Sequence, residues 1–88
     1  MELEKITLSL DRTYHLYNGK SFYKQKFLNV EKFHKPGLAP VIDKSGTYHI
    51  KTNGEEEYTN RFTQTFGFYC GLAAVESNGK WFHILPDG

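Results

Sequence analysis

The feature that most constrains the fold is an internal repeat with a period of 34 residues. The tripeptide Tyr14-His15-Leu16 recurs as Tyr48-His49-Ile50 and again as Phe82-His83-Ile84. Between these points, Gly37-Leu38-Ala39 matches Gly71-Leu72-Ala73. A fixed period of this size indicates a repeat architecture, in which each copy is one supersecondary unit that buries its apolar face against its neighbours.

The period divides the chain into four segments. We expect residues 1–12 to form a degenerate strand that acts as a cap, because terminal units of repeat proteins are often atypical. Residues 13–46 and 47–80 are two full copies, and residues 81–88 begin a third. Since such arrays generally need about three copies for a continuous core, we expect the two ends to be the places where the fold is least complete.

Alternating and turn-forming residues predict short strands. Ile6, Leu8 and Leu10 alternate with polar residues, which is the period of a half-buried strand. Asn18-Gly19 lies between apolar runs and predicts a β-hairpin, because both central residues of a type I′ turn need positive φ. No stretch keeps apolar residues three and four apart for about ten residues, so no helix is expected.

Further Asn-Gly pairs at positions 53–54 and 78–79 place turns in the second copy. Each copy then contains four short strands joined by tight turns. The sequence therefore predicts an all-β fold built from tandem antiparallel β-meander repeats of 34 residues. Two arrangements fit this length, one with the units placed like propeller blades and one with the units stacked like the coils of a solenoid.

Charge and cysteine content exclude several classes of protein. Eleven basic residues balance ten acidic ones, so no global field favours nucleic acid or an anionic membrane. The single cysteine, Cys70, rules out an internal disulfide framework and a cysteine-rich zinc site, and it favours the reducing cytoplasm. No apolar run is long enough to span a membrane, and the first residues lack the pattern of a secretory signal.

One junction between copies resembles a known family. Gly71-Leu72-Ala73-Ala74-Val75 followed by Gly79-Lys80-Trp81 is similar to the bacterial WG-type β-repeat, also called the KWG repeat. The Trp-Gly dipeptide of that family is replaced by Trp81-Phe82 here and by Thr47-Tyr48 at the preceding junction, so the chain resembles a divergent subgroup. The resemblance implies a tandem all-β array, often appended to other domains of large bacterial proteins, with no chemistry common to the family.

His15, His49 and His83 occupy equivalent positions and would form a ladder in a regular stack. Histidine is the commonest metal ligand. However, successive copies are separated by about 4.7–4.9 Å for paired strands or about 10 Å for packed sheets, whereas zinc needs its nitrogens within about 2.1 Å. No carboxylate recurs beside these residues. We therefore expect structural, hydrogen-bonded histidines and no metal or cofactor, with a pH-sensitive contact as the alternative.

Two further candidate sites are weaker than their structural explanations. Cys70 could act as a nucleophile beside a histidine, but its neighbours in the sequence match no catalytic signature. Lysines that alternate with aromatic residues in the first full copy could bind single-stranded nucleic acid. Phe27 and Phe33 of that copy nevertheless recur as Phe62 and Phe68 in the less basic copy, which makes them core residues. We predict no catalytic residue and no nucleic-acid binding.

Positions that are apolar in every copy face the same interior and are predicted to be buried. They are Phe27, Val30, Phe33, Leu38, Val41, Tyr48, Ile50, Tyr58, Phe62, Phe68, Leu72, Val75, Trp81 and Ile84.

The sequence predicts a non-enzymatic β-repeat module for protein–protein interaction or self-assembly. The alternative is an accessory or substrate-binding repeat segment of a larger bacterial enzyme. Because an unpaired strand edge attracts other chains, the terminal strands could pair within one chain or, as we favour, head to tail with a neighbouring copy. The residues of this candidate assembly edge are Ile6, Leu8 and Leu10 at one end, and Trp81, Phe82 and Ile84 at the other.

Overall fold

The computed structural model describes residues 2–88, which form nine short strands after one turn of 3-10 helix at Leu3–Lys5. The strands pair into three antiparallel sheets of three strands each. The prediction of an all-β fold is confirmed, since this range has no α-helix. No helix in residues 2–88 is long and apolar enough to cross a membrane. The strands are β1 (Ile6–Leu8), β2 (His15–Tyr17), β3 (Lys20–Ser21), β4 (Asn29–Val30), β5 (Ala39–Asp43), β6 (Gly46–Ile50), β7 (Gln64–Thr65), β8 (Ala73–Ser77) and β9 (Lys80–Ile84).

The first sheet has the order β1-β2-β3, the second β4-β5-β6 and the third β7-β8-β9. Each sheet therefore combines strands from both sides of a boundary predicted from the repeat, as β5 and β6 do around position 46. The histidine of each sheet lies at the same point of a hairpin. The opposing pairs are Leu8 with His15, Pro40 with His49, and Ala74 with His83.

Two predicted Asn-Gly turns have the expected backbone geometry. The φ angles are 53° and 77° at Asn18 and Gly19, and 53° and 78° at Asn78 and Gly79. Positive φ at both central residues is the mark of a type I′ turn. Cys70 joins a third turn of this kind, which closes through mutual backbone hydrogen bonds between residues 69 and 72 of 2.8 and 3.0 Å.

The turn at Asn53-Gly54 differs from the expected two-residue type. The Gly54 N–H donates to the Lys51 carbonyl (2.9 Å), and the Lys51 N–H donates to the Glu55 carbonyl (2.8 Å). Only Gly54 has positive φ, which gives a three-residue loop. A Cβ atom on Gly54 would lie 2.8 Å from Cγ of Tyr23, so close packing also requires glycine here.

The return segment of this hairpin is not a strand: it has the isolated bridge between Ile50 and Glu56, and the Glu57 N–H donates to the His49 carbonyl (3.0 Å). The prediction of four strands in each copy is therefore wrong for residues 47–80, whereas residues 13–46 contain the four strands β2, β3, β4 and β5.

An extended segment connects each sheet to the next and pairs with the sheet it leaves. The Phe27 N–H donates to the Thr13 carbonyl (2.8 Å), and Phe62 and Thr47 exchange two hydrogen bonds of 2.9 Å. These segments continue into β4 and β7 respectively. Among the described residues, β1 pairs only with β2 and β9 only with β8, so the two terminal strands are not joined to each other.

The core lies between the sheets, and the predicted buried set is confirmed except at two positions. Leu72 is exposed because it follows the tight turn at Cys70, whereas its counterpart Leu38 closes a longer loop and is buried. Trp81 is exposed because, in the part of the chain that the structure describes, no further strand pairs with the outer edge of β9.

Candidate functional site

His15 and His49 are fully buried and lie at the centre of the same hydrogen-bond arrangement. Nε2 of His15 donates to the Glu31 carbonyl (2.7 Å), and its Nδ1 accepts from the Tyr23 hydroxyl (2.6 Å). The carbonyl can only accept, so Nε2 must carry the hydrogen. Around His49 the partners are the Phe66 carbonyl at 2.9 Å and the Tyr58 hydroxyl at 2.5 Å.

Burial keeps these rings neutral, because it lowers the pKa of both His15 and His49 below the usual value. The same burial raises the pKa of Tyr23 and Tyr58, so both hydroxyls remain donors. Each imidazole uses both nitrogens, which leaves no lone pair for a metal ion. Consistent with this, residues 2–88 contain no group of three or more His, Cys, Asp or Glu side chains placed to hold one.

This arrangement predicts that the fold weakens in mild acid. The ordinary pKa of 6.5 for histidine is lowered by burial in the folded state, so only the unfolded chain takes up protons just below pH 6.5. The stabilisation is complete above that pH and is lost as the pH falls toward the lower folded pKa. Each histidine should lower the free energy of unfolding by up to about 1.4 kcal/mol for each pH unit in this range. Urea unfolding between pH 7.5 and pH 5 should reveal the loss.

Asp11 titrates in a separate range. Hydrogen bonds from Thr13 and Ser9 lower the pKa of Asp11 below 3.8, so its contribution is lost only in stronger acid. A free energy of unfolding that stays constant from pH 7 to pH 5 would contradict the histidine prediction.

A second contact occurs in both the first and the second sheet, where a cation lies over an aromatic ring. The Lys26 ammonium lies 3.6 Å from the centre of the Tyr14 ring, and the Arg61 guanidinium lies 3.6 Å from that of Tyr48. Such contacts contribute about 0.5–2 kcal/mol. Phe82 is the corresponding ring of the third sheet, but it is 43% exposed, and no cation of residues 2–88 covers it.

The outer edge of β9 is where these recurring contacts are missing. His83 is exposed and joins no arrangement like that of His49 among the described residues. Trp81 is 50% exposed and stacks on Phe66, which is 55% exposed, with the rings 5.6 Å apart and 12° from parallel. We call this surface the open edge, and it consists of Trp81, Phe82 and His83 together with Phe66, which pairs with the other side of β8 and reaches Trp81 through its stacked ring.

The six residues predicted to form an assembly edge divide by exposure. Trp81 and Phe82 belong to the open edge, and Leu10 is fully exposed beside β1. The side chains of the other three lie in the core or pack against it, so only their backbone is available: Ile6, Leu8 and Ile84.

A groove of about 660 Å³ lies between the second and third sheets. Its lining includes His34 and Tyr69, whose rings are 4.7 Å apart and whose polar atoms approach to 3.3 Å. Cys70 is exposed and lies outside this lining. The groove therefore does not combine the thiol and the imidazole that a nucleophilic mechanism would need.

Sequence reasoning placed Tyr58 in the core but did not link it to His49, and it did not link Lys26 and Arg61 to the rings that they cover. The useful signal is the pattern Tyr-x-x-Lys/Arg-Phe, which occurs at residues 23–27 and 58–62. Its two copies are 35 residues apart, whereas the histidines are 34 apart, so a fixed period does not align them.

Comparisons with known proteins do not identify a relative of this chain. The chain matches no protein-family model, no curated protein and no solved structure. The open edge is therefore interpreted from the contacts of the chain itself.

Proposed function

We propose that this chain is a non-enzymatic β-repeat module that binds a protein partner, or another copy of itself, through the open edge. In this proposal the three sheets are successive units of a tandem array, as in the WG-type repeats that the sequence resembles, placed like propeller blades or like solenoid coils. The observation that carries the proposal is that the ring and the histidine covered in the second sheet, Tyr48 and His49, correspond to the uncovered Phe82 and His83.

An edge strand with exposed aromatic side chains favours pairing with another strand. The outer edge of β9 has unpaired backbone N–H and C=O groups, which are a template for another strand. Trp81 and Phe66 add a stacked apolar surface beside it. Addition of a strand to such an edge takes affinity from the main-chain hydrogen bonds and specificity from the side-chain pockets.

Catalysis is less well supported. A catalyst needs polar groups that converge in a pocket, with a nucleophile or base within hydrogen-bond reach of its partner. The polar residues that lack a counterpart in the other copy are His34 and Cys70. His34 is half-buried and contacts Tyr69, while Cys70 is at the tip of a turn.

For self-assembly the favoured form is head to tail. The strands β1 and β9 are both outer strands of their sheets, and Leu10 is exposed beside β1. A contact between β9 of one copy and β1 of the next is heterologous, so it gives a ring where the rotation closes and a filament where it does not.

If the partner is another copy of the chain, the mean molar mass in sedimentation experiments should rise with protein concentration. Trp81→Lys should raise the concentration needed for association at least tenfold, because it places a charge at the open edge. Leu28→Lys is the matched control, since Leu28 is also exposed but lies outside the open edge. A chain that stays monomeric and folded at high concentration would rule out self-assembly, and binding to a different polypeptide would then have to account for the open edge.

A further inference from the structure

We propose that the occupant of the open edge is an extended strand of another polypeptide that carries the sequence Tyr-x-x-Lys/Arg-Phe. This inference rests on the proposed function and specifies the chemistry of the partner. It comes from contacts that the chain makes twice within itself, at the corresponding edges of its first and second sheets.

The internal template begins with the tyrosine. The Tyr23 hydroxyl bonds to His15 and the Tyr58 hydroxyl to His49, in each case at Nδ1. The residue before each tyrosine donates its backbone N–H to the carbonyl of the same histidine, at 2.9 and 3.0 Å. A partner tyrosine would thus bond to the ring of His83 while the backbone of the preceding residue pairs with β9.

The cation three residues later covers the aromatic ring that precedes the histidine. Lys26 covers Tyr14, and Arg61 covers Tyr48. Phe82 has the same position in β9, because it lies opposite Val75 as Tyr48 lies opposite Val41. A partner Lys or Arg would complete the contact that Phe82 lacks, since a cation is attracted to the face of a phenylalanine ring as well.

The phenylalanine completes the register. The Phe27 N–H donates to the Thr13 carbonyl, and the Phe62 N–H donates to that of Thr47, so a partner phenylalanine would pair with Trp81. Each phenylalanine ring also packs edge-on against the tyrosine of its own segment, with centroids 5.9 Å apart.

Four residues after the phenylalanine, a backbone carbonyl accepts from the histidine Nε2. These acceptors are Glu31 and Phe66. The binding segment therefore extends from the residue before the tyrosine to eight residues after it.

A second copy of the chain does not present this segment in an available form. Residues 2–10, which include β1, contain no tyrosine, phenylalanine or arginine. The two internal segments are already bound, and their tyrosines are buried. Of these two partners, a different polypeptide fits the open edge better, and head-to-tail binding through β1 is the competing outcome.

The test uses a capped synthetic peptide with the sequence of residues 57–66, which contains Tyr58, Arg61 and Phe62. Trp81 is the single tryptophan of the chain, so its emission reports directly on the open edge. We expect saturable binding with a shift of this emission to shorter wavelength, as the indole is covered. The Arg61→Glu peptide should bind at least fivefold more weakly, and the Tyr58→Phe peptide at least threefold more weakly.

A double-mutant cycle locates the contact. The His83→Ala variant, which changes an exposed residue, should bind the parent peptide more weakly than the unchanged chain does. It should bind the parent peptide and the Tyr58→Phe peptide with equal affinity, because the two groups interact only with each other. Equal binding of all peptides, or binding to His83→Ala at full strength, would overturn the inference. If the peptide does not bind but self-association that depends on Trp81 is observed, the inference is wrong and the proposed function stands. If neither peptide binding nor self-association is observed, the proposed function is wrong as well.

Discussion

Phe68→Ala is expected to lower the free energy of unfolding by about 3–5 kcal/mol, which is the usual range for removing a buried phenylalanine ring. Phe68 is 1% exposed, and its ring packs against His49 with centroids 4.5 Å apart. Small domains are stable by only about 5–15 kcal/mol, so a domain at the low end of that range would keep only about 0–2 kcal/mol of its stability. Urea unfolding followed by circular dichroism would measure the loss.

Phe66→Ala provides the matched control, because it removes the same side chain two residues away. Phe66 is exposed and contacts the indole of Trp81, so its removal should cost no more than about 1 kcal/mol. Equal losses for the two variants would show that the interior and exterior faces are assigned incorrectly.

His49→Leu is expected to cost about 2–5 kcal/mol although it places an apolar side chain in an apolar interior. The substitution leaves the Tyr58 hydroxyl and the Phe66 carbonyl without their partner, and each buried polar group left unsatisfied costs about 1–3 kcal/mol. The change should also reduce the loss of stability between pH 7 and pH 5, because one of the two buried histidines is gone. Urea unfolding at both pH values measures the two effects together.

His83→Leu is the control for this variant, since His83 occupies the corresponding position of the third sheet but is exposed. It should change the free energy of unfolding by less than about 0.5 kcal/mol. A loss at His83 as large as that at His49 would contradict the assignment of His49 as the buried, hydrogen-bonded member.

Much of the fold could be predicted because the residues that form the main strand pairs recur at equivalent positions of the repeat. Val41 and Val75, or Ile50 and Ile84, are apolar at equivalent positions and all four are buried. Likewise the Asn18-Gly19 turn has a short-range signal, since the dipeptide itself tolerates the positive φ that the turn needs. Local chemistry and repetition agree at these points.

The exposure of Trp81 could not be predicted from repetition. Equivalence between copies implies equal burial only when the neighbours are also equivalent, and the third sheet has no following strand among the described residues. The candidate site was hidden for a related reason. The tyrosines that bond to the histidines, Tyr23 and Tyr58, are 35 residues apart whereas the histidines are 34 apart, and nothing in the sequence indicates that each tyrosine bonds to a histidine.

We expect the buried histidines to couple the unfolding of neighbouring sheets. His15 lies in the first sheet, but its carbonyl partner Glu31 directly follows β4 of the second; His49 in turn bonds to Phe66, which directly follows β7 of the third. If one sheet opens, a buried polar group in the neighbouring sheet loses its hydrogen-bond partner. The free energy cost of that group destabilises the neighbouring sheet, which is nearest-neighbour coupling. Local fraying is thereby suppressed wherever such a link exists. Since His83 has no link of this kind among the described residues, the amide hydrogens of β9 should exchange with solvent faster than those of β6, its counterpart in the second sheet.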